Sequence, residues 1–109
     1  MRLRTAARAF GAALLAIGAT AATAQAPDVN QLRASALAAT CANCHGTQGR
    51  GAEGSAVPAI AGMPAAYIAE QMRAFRSGAR QATVMHQLAK GYSDAQIDQI
   101  AAYFAAQKR

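Results

Sequence analysis

Cys41-Ala42-Asn43-Cys44-His45-Gly46 gathers both cysteines and one of the two histidines of a 109-residue chain into five consecutive positions. Three chemistries use such a cluster. A redox dithiol would close a tight Cys–Cys loop, but that arrangement belongs at a strand–helix junction, and no stretch of this sequence reads as a strand. It would also leave His45 idle. Zinc would find two thiolates and one imidazole, one ligand short of the usual four, and His86 would have to arrive alone to complete the set. Covalent haem uses every residue present. Two cysteines three apart on a helical turn reach the two vinyl groups on one edge of a porphyrin, and the adjacent histidine lies under the iron. Gly46 stands where a side chain would be expected to crowd the macrocycle. The stretch reads as the anchor of one haem c, with Cys41 and Cys44 as thioether donors and His45 as proximal iron ligand.

The residues before it say where those thiols reside. The chain opens with Arg2, Arg4 and Arg8, runs through small and apolar residues from about Ala9 to Ala22, and reaches Ala22-Thr23-Ala24. A basic start, a short apolar centre and a small-x-small end make a secretory signal peptide. The apolar run is shorter than the roughly 20 residues of a spanning helix. Residues 1–24 are therefore expected to be cleaved, leaving one domain over 25–109 in the periplasm with no stable membrane insertion. Three of the eleven Lys+Arg leave with the leader, so eight cations face five acids and the pI of about 10.2 overstates the basicity. No basic run is interleaved with aromatics, which excludes a nucleic-acid surface. The 85 residues that remain can bury only a marginal core, which calls for a staple. The cysteine–histidine cluster is the obvious one.

Four segments have helical spacing. Val29, Leu32, Ala36, Leu37 and Thr40 lead from an N-cap at Asp28 into Cys41. A Gly-, Ser- and Pro-rich stretch, GTQGRGAEGSAVPAIAG over 46–62, reads as an irregular wrapping loop. The next helix starts at Pro64 and stops before Gly78, with Ile68, Met72 and Phe75 as its stripe and Tyr67 and Gln71 beside it. TVMHQLAKG makes a short piece ending at Gly91. Ser93 with Gln96 forms a capping box for a last helix with Ile97, Ile100, Ala101 and Phe104 on one face.

With CANCHG, VPAIAGM, YIAEQMRAFRSGAR, TVMHQLAKGYSD and QIAAYFAAQK in this order, the chain resembles the small class I c-type cytochromes of the bacterial periplasm over roughly Leu32 to Lys108. The later stretches are most like the haem subunit of flavocytochrome c sulfide dehydrogenase. The resemblance implies an all-α class I cytochrome c fold, about four helices wrapped around one covalent haem. It also implies a flavoprotein dehydrogenase subunit, or another periplasmic redox protein, as partner. Some members of that family carry two haem domains; with the one Cys-x-x-Cys-His here, a single-haem form is expected.

The sixth ligand must come from Met63, Met72, Met85 or His86. Met72 is explained by its place in the apolar stripe, and Met63 precedes the start of a helix. The resemblance places the ligand between the third and last helices, at Met85; His86 then diverges from it and reads as a surface or partner-facing imidazole. A thioether favours ferrous iron and raises the potential, as a carrier accepting electrons needs. Among looser expectations, the resemblance lets the Pro58 carbonyl hold the His45 ring. Tyr67 and Phe75 are expected to pack the pocket, and Arg80 to pair with a haem propionate or with solvent. Leu32 and Ala36 are expected to cross Ile100 and Phe104. With both axial positions filled, the expected function is electron transfer, as a dehydrogenase subunit or as a free shuttle. An open-site sensor or peroxidase would need distal acid–base groups that the sequence does not arrange.

Overall fold

The computed structural model describes Ala26 and residues 28–109. The expected leader and its cleavage site lie outside the described residues. Five α-helices and no strand occur among them: α1 (Val29–Ala39), α2 (Ala42–His45), α3 (Ala65–Ser77), α4 (Met85–Lys90) and α5 (Asp94–Ala105). Four of these are the expected segments. The fifth, α2, is a single turn carrying the Cys-x-x-Cys-His residues. No helix among the described residues is long and apolar enough to cross a membrane.

Local chemistry sets the helix ends. The Asp28 carboxylate accepts from the Asn30 amide at 3.1 Å, satisfying one of the free donors of the first turn of α1, an effect of about 1 kcal/mol. Ser93 and Gln96 form the reciprocal capping box of α5: the Gln96 amide donates to the Ser93 hydroxyl at 3.2 Å. In return the Ser93 amide donates to the Gln96 side chain at 2.9 Å. Pro64 precedes the first residue of α3, and Gly78 ends that helix in the left-handed conformation, at φ +80°.

The core lies where α3 and α1 meet α5. Ile97, Ile100 and Phe104 are its largest fully buried side chains, joined by Ile68, Ala69, Met72 and Ala89. Each large one stabilises the fold by roughly 1.5–3 kcal/mol. Helix α1 approaches this cluster by a different face from the one expected. Leu32 is 52% exposed and Ala36 is also exposed, while Ala38 is 2% exposed and Leu37 is half-buried against the core. The cause is the junction with α2. The chain runs almost without interruption from α1 into that turn, so Leu37, Ala38 and Cys41 share the inward face. Small Ala38 lets the helices come close.

Between α2 and α3 the loop is held by backbone bonds rather than regular structure. The Gly49 carbonyl accepts from Ile60 at 2.7 Å and Ala61 at 2.9 Å, and the Gly62 amide donates to the Phe104 carbonyl at 2.8 Å. Gly49 is buried at φ +75°, and a Cβ there would stand 2.7 Å from the Phe104 ring and 2.8 Å from Ile60. The loop is thereby pinned onto the end of α5.

On the outer side, α3 and α5 are joined by charge. Arg73 donates to Asp94 at 3.1 Å and to Asp98 at 2.7 Å, and Arg76 donates to Asp94 at 2.6 Å. The Arg76 and Arg73 guanidinium groups hold the Asp94 carboxyl below the usual carboxylate range.

Candidate haem site

Cys41, Cys44 and His45 sit on one near-helical turn. The His45 and Cys44 amides both donate to the Cys41 carbonyl, at 2.9 and 3.2 Å, and Gly46 donates to Ala42 at 3.0 Å. This winding puts the two thiols on the same side, one turn apart. They are not equivalent. Cys44 is exposed, whereas Cys41 is half-buried against the core. Burial pushes the Cys41 thiol up, against a lowering contribution from the Thr40 hydroxyl. No cluster of three His, Cys, Asp or Glu suited to a metal ion occurs among the described residues, so nothing there completes a zinc site around the two thiols.

The His45 ring is fixed by one bond. Nδ1 lies 2.7 Å from the Pro58 carbonyl oxygen. A carbonyl can only accept, so Nδ1 carries the proton and Nε2 keeps its lone pair. That tautomer leaves Nε2 free as a ligand atom, and the orientation comes from the loop. Two thiols on one face beside an imidazole held in this tautomer fit a covalently attached haem.

Gly46 has a role within the protein backbone that the sequence did not suggest. Its φ is +79°, and a Cβ would stand 2.3 Å from the Gly51 carbonyl oxygen, so a side chain there is already forbidden by backbone. The Gly51 amide donates to the His45 carbonyl at 2.7 Å. The close approach of these two glycine-bearing turns therefore holds the histidine's backbone in place.

The remaining candidates are distributed through the fold. Met72 is buried in the core. Met85 begins α4, and both Met85 and Met63 pack half-buried against the same cluster as Cys41. His86 is half-buried, and its Nδ1 is covered with no hydrogen-bond partner among the described residues. It is thus less of a surface imidazole than expected. Arg80 stacks on the Phe75 ring, 4.6 Å from its centroid, and also donates to Gln71. Its guanidinium has local partners of its own, while Tyr67 is 46% exposed.

Two features were not expected from the sequence. The Tyr92 hydroxyl meets Thr40 Oγ1 at 2.9 Å, across 52 residues. The arginine–aspartate cluster does have a signal, in Arg73 and Arg76 three apart on α3 and Asp94 and Asp98 four apart on α5, each pair at one-face spacing.

A family model described as cytochrome c matches residues 32–108. The chain is 37% identical over 95 residues to the thiosulfate dehydrogenase electron acceptor of Thiomonas intermedia, across 87% of this chain and 44% of that protein. It is 38% identical over 76 residues to the cytochrome subunit of sulfide dehydrogenase of Chlorobaculum tepidum, across 70% of this chain and 67% of that one. Among solved structures, Acidithiobacillus ferrooxidans cytochrome c4 is similar with a TM-score of 0.65 at 31% identity, covering 72% of this chain and 50% of that chain. The chain therefore spans less than half of the first relative and half of the cytochrome c4.

Proposed function

This chain belongs to the cytochrome c family and carries covalently attached haem c; on that premise we propose how its residues hold the group and what it is for. Cys41 and Cys44 form the thioethers, His45 Nε2 is the proximal iron ligand and Met85 the distal one. The haem supplies a reversible one-electron change, and the protein's part is to hold, orient and shield it. The observation that carries this reading is the 2.7 Å bond from His45 Nδ1 to the Pro58 carbonyl. It fixes an imidazole beside two thiols in the tautomer that leaves Nε2 free to ligate. A thioether from Met85 would fill the iron's remaining position and favour the ferrous state over the ferric.

The work is electron transfer in the periplasm. The names of the relatives, an electron acceptor of thiosulfate dehydrogenase and a cytochrome subunit of sulfide dehydrogenase, support an assignment as acceptor for a dehydrogenase; a flavoprotein as the donor subunit is what the resemblance to the flavocytochrome c haem subunit implies. Recovery of a stoichiometric flavoprotein with the native protein is the expected result; recovery of the cytochrome alone would favour a free shuttle.

Ligation is tested by spectroscopy. Met85→Ala should remove the weak red-end absorption that methionine ligation gives ferric haem, lower the reduction potential and admit exogenous ligands. Met63→Leu and Met72→Leu should keep that absorption, the latter at a cost below about 1.5 kcal/mol as a near-isosteric core exchange. Loss of the band in the Met63 variant with its retention in the Met85 variant would overturn the distal assignment.

A further inference from the structure

We infer that Tyr92 is a positioning residue, whose hydroxyl bond to Thr40 fixes the seat of Met85 relative to the attachment turn; this rests on the reading of Met85 as distal ligand. Helix α4 has six residues, under two turns, and a helix so short does not hold itself in water. It packs along α3 with Ala89 fully buried, but Val84 and Leu88 are 48% and 49% exposed. Its contact with α3 leaves its setting relative to the attachment turn to what grips its ends.

Tyr92 grips one end in three directions. Its amide donates to the Ala89 carbonyl at 3.3 Å, closing the helix. Its carbonyl accepts from Arg76 at 3.2 Å, which ties it to α3. Its hydroxyl lies 2.9 Å from Thr40 Oγ1. Thr40 donates its one hydroxyl hydrogen to the Leu37 carbonyl at 3.0 Å, so the phenol is the donor in the Tyr92–Thr40 bond. Thr40 in turn is the residue before Cys41, whose sulfur lies 4.0 Å from Oγ1. One phenolic hydrogen bond therefore joins the turn that attaches the haem to the helix that begins with Met85. It is a polar link between the segments that would supply the two iron ligands. Removing the hydroxyl while keeping the ring would leave the packing and release α4. The sulfur would then leave the iron more often.

The test uses holoprotein with imidazole as probe. Tyr92→Phe should keep its covalent haem, its helical circular dichroism and its red-end band. Its ferric form should bind imidazole about two- to tenfold more tightly, the range that one neutral hydrogen bond is worth. Thr40→Val should do the same, and the double variant should add little to either, because both remove one bond. An imidazole affinity within twofold of the unaltered protein, even alongside a lower unfolding temperature, would overturn the inference, since a purely structural tyrosine moves only the latter. Fully additive effects would overturn it too. Met85→Ala separates the two levels. If that variant keeps the band, the ligand reading has failed; if it loses the band and Tyr92→Phe leaves imidazole binding unchanged, only the role of Tyr92 has failed.

Discussion

At the scale of single residues, Gly49 offers the sharpest test of how the loop is pinned. Replacing it with alanine combines a left-handed backbone cost of about 1–2 kcal/mol with overpacking against Phe104 and Ile60 of about 1–3 kcal/mol. Gly54 has a similar φ, +72°, with nothing within 4 Å of an added Cβ, so Gly54→Ala should cost only the backbone part, about 1–2 kcal/mol. Denaturant unfolding of the two ferric variants should show this difference in midpoint; equal costs would mean the loop is not held by its contact with α5. Cys41, Cys44 and His45 were legible because their spacing is local and chemically distinctive. Met72 was legible because helical periodicity explains it. Gly46 and Gly49 were not, because the groups that forbid a side chain there, the Gly51 backbone and the Phe104 ring, arrive through folding.

Among the elements, the joint between α3 and α5 makes stability depend on acid. Asp94 has a folded value held below its unfolded one, near 3.9 for a free carboxyl, first by Arg76 and then by Arg73. A depressed carboxyl contributes stability that is fully present above the unfolded value and is lost as pH falls through the folded one. Thermal unfolding between pH 5 and pH 3 should therefore fall more steeply for the unaltered protein than for Asp94→Asn. Since the pairs are exposed, molar salt should narrow that difference. An Asp94→Asn variant as acid-sensitive as its parent would show that the joint carries none of the dependence. The helix ends were readable from caps at Asp28, Pro64, Gly78 and Ser93, each a local device. The rotation of α1 was not. Alanine fills so much of that helix that no single face stands out, and the inward one is chosen by the direct run into α2.

For the whole molecule, the prediction concerns the staple. Ala38, Ala61, Ala69, Ala89 and Ala101 make up half of the buried apolar residues among those described, and alanines bury little area each. A domain of this size with such a core is marginal without a cross-link. The haem-loaded protein should keep its colour through denaturing electrophoresis. Cys41→Ser combined with Cys44→Ser should yield a colourless chain with most of its far-ultraviolet helical signal lost. A colourless but well-folded double variant would show that the helices need no haem to assemble. The all-α architecture and the place of the anchor were legible from periodicity and one motif. The links that cross the molecule, from Thr40 to Tyr92 and from Gly62 to Phe104, were not, because pattern reading sees only neighbours in sequence.

The contact of α1 with α5 also bears on the order of events during synthesis. Ala38 meets a cluster supplied by Ile97, Ile100 and Phe104, about sixty residues behind it in the sequence. Closing so long a loop costs entropy that short helices cannot offset beforehand. A chain that emerges N-terminus first therefore displays Cys41 and Cys44 well before α5 can cover the Cys41 side. Of the two thiols only Cys41 is covered when the helices pack, and Cys44 stays exposed.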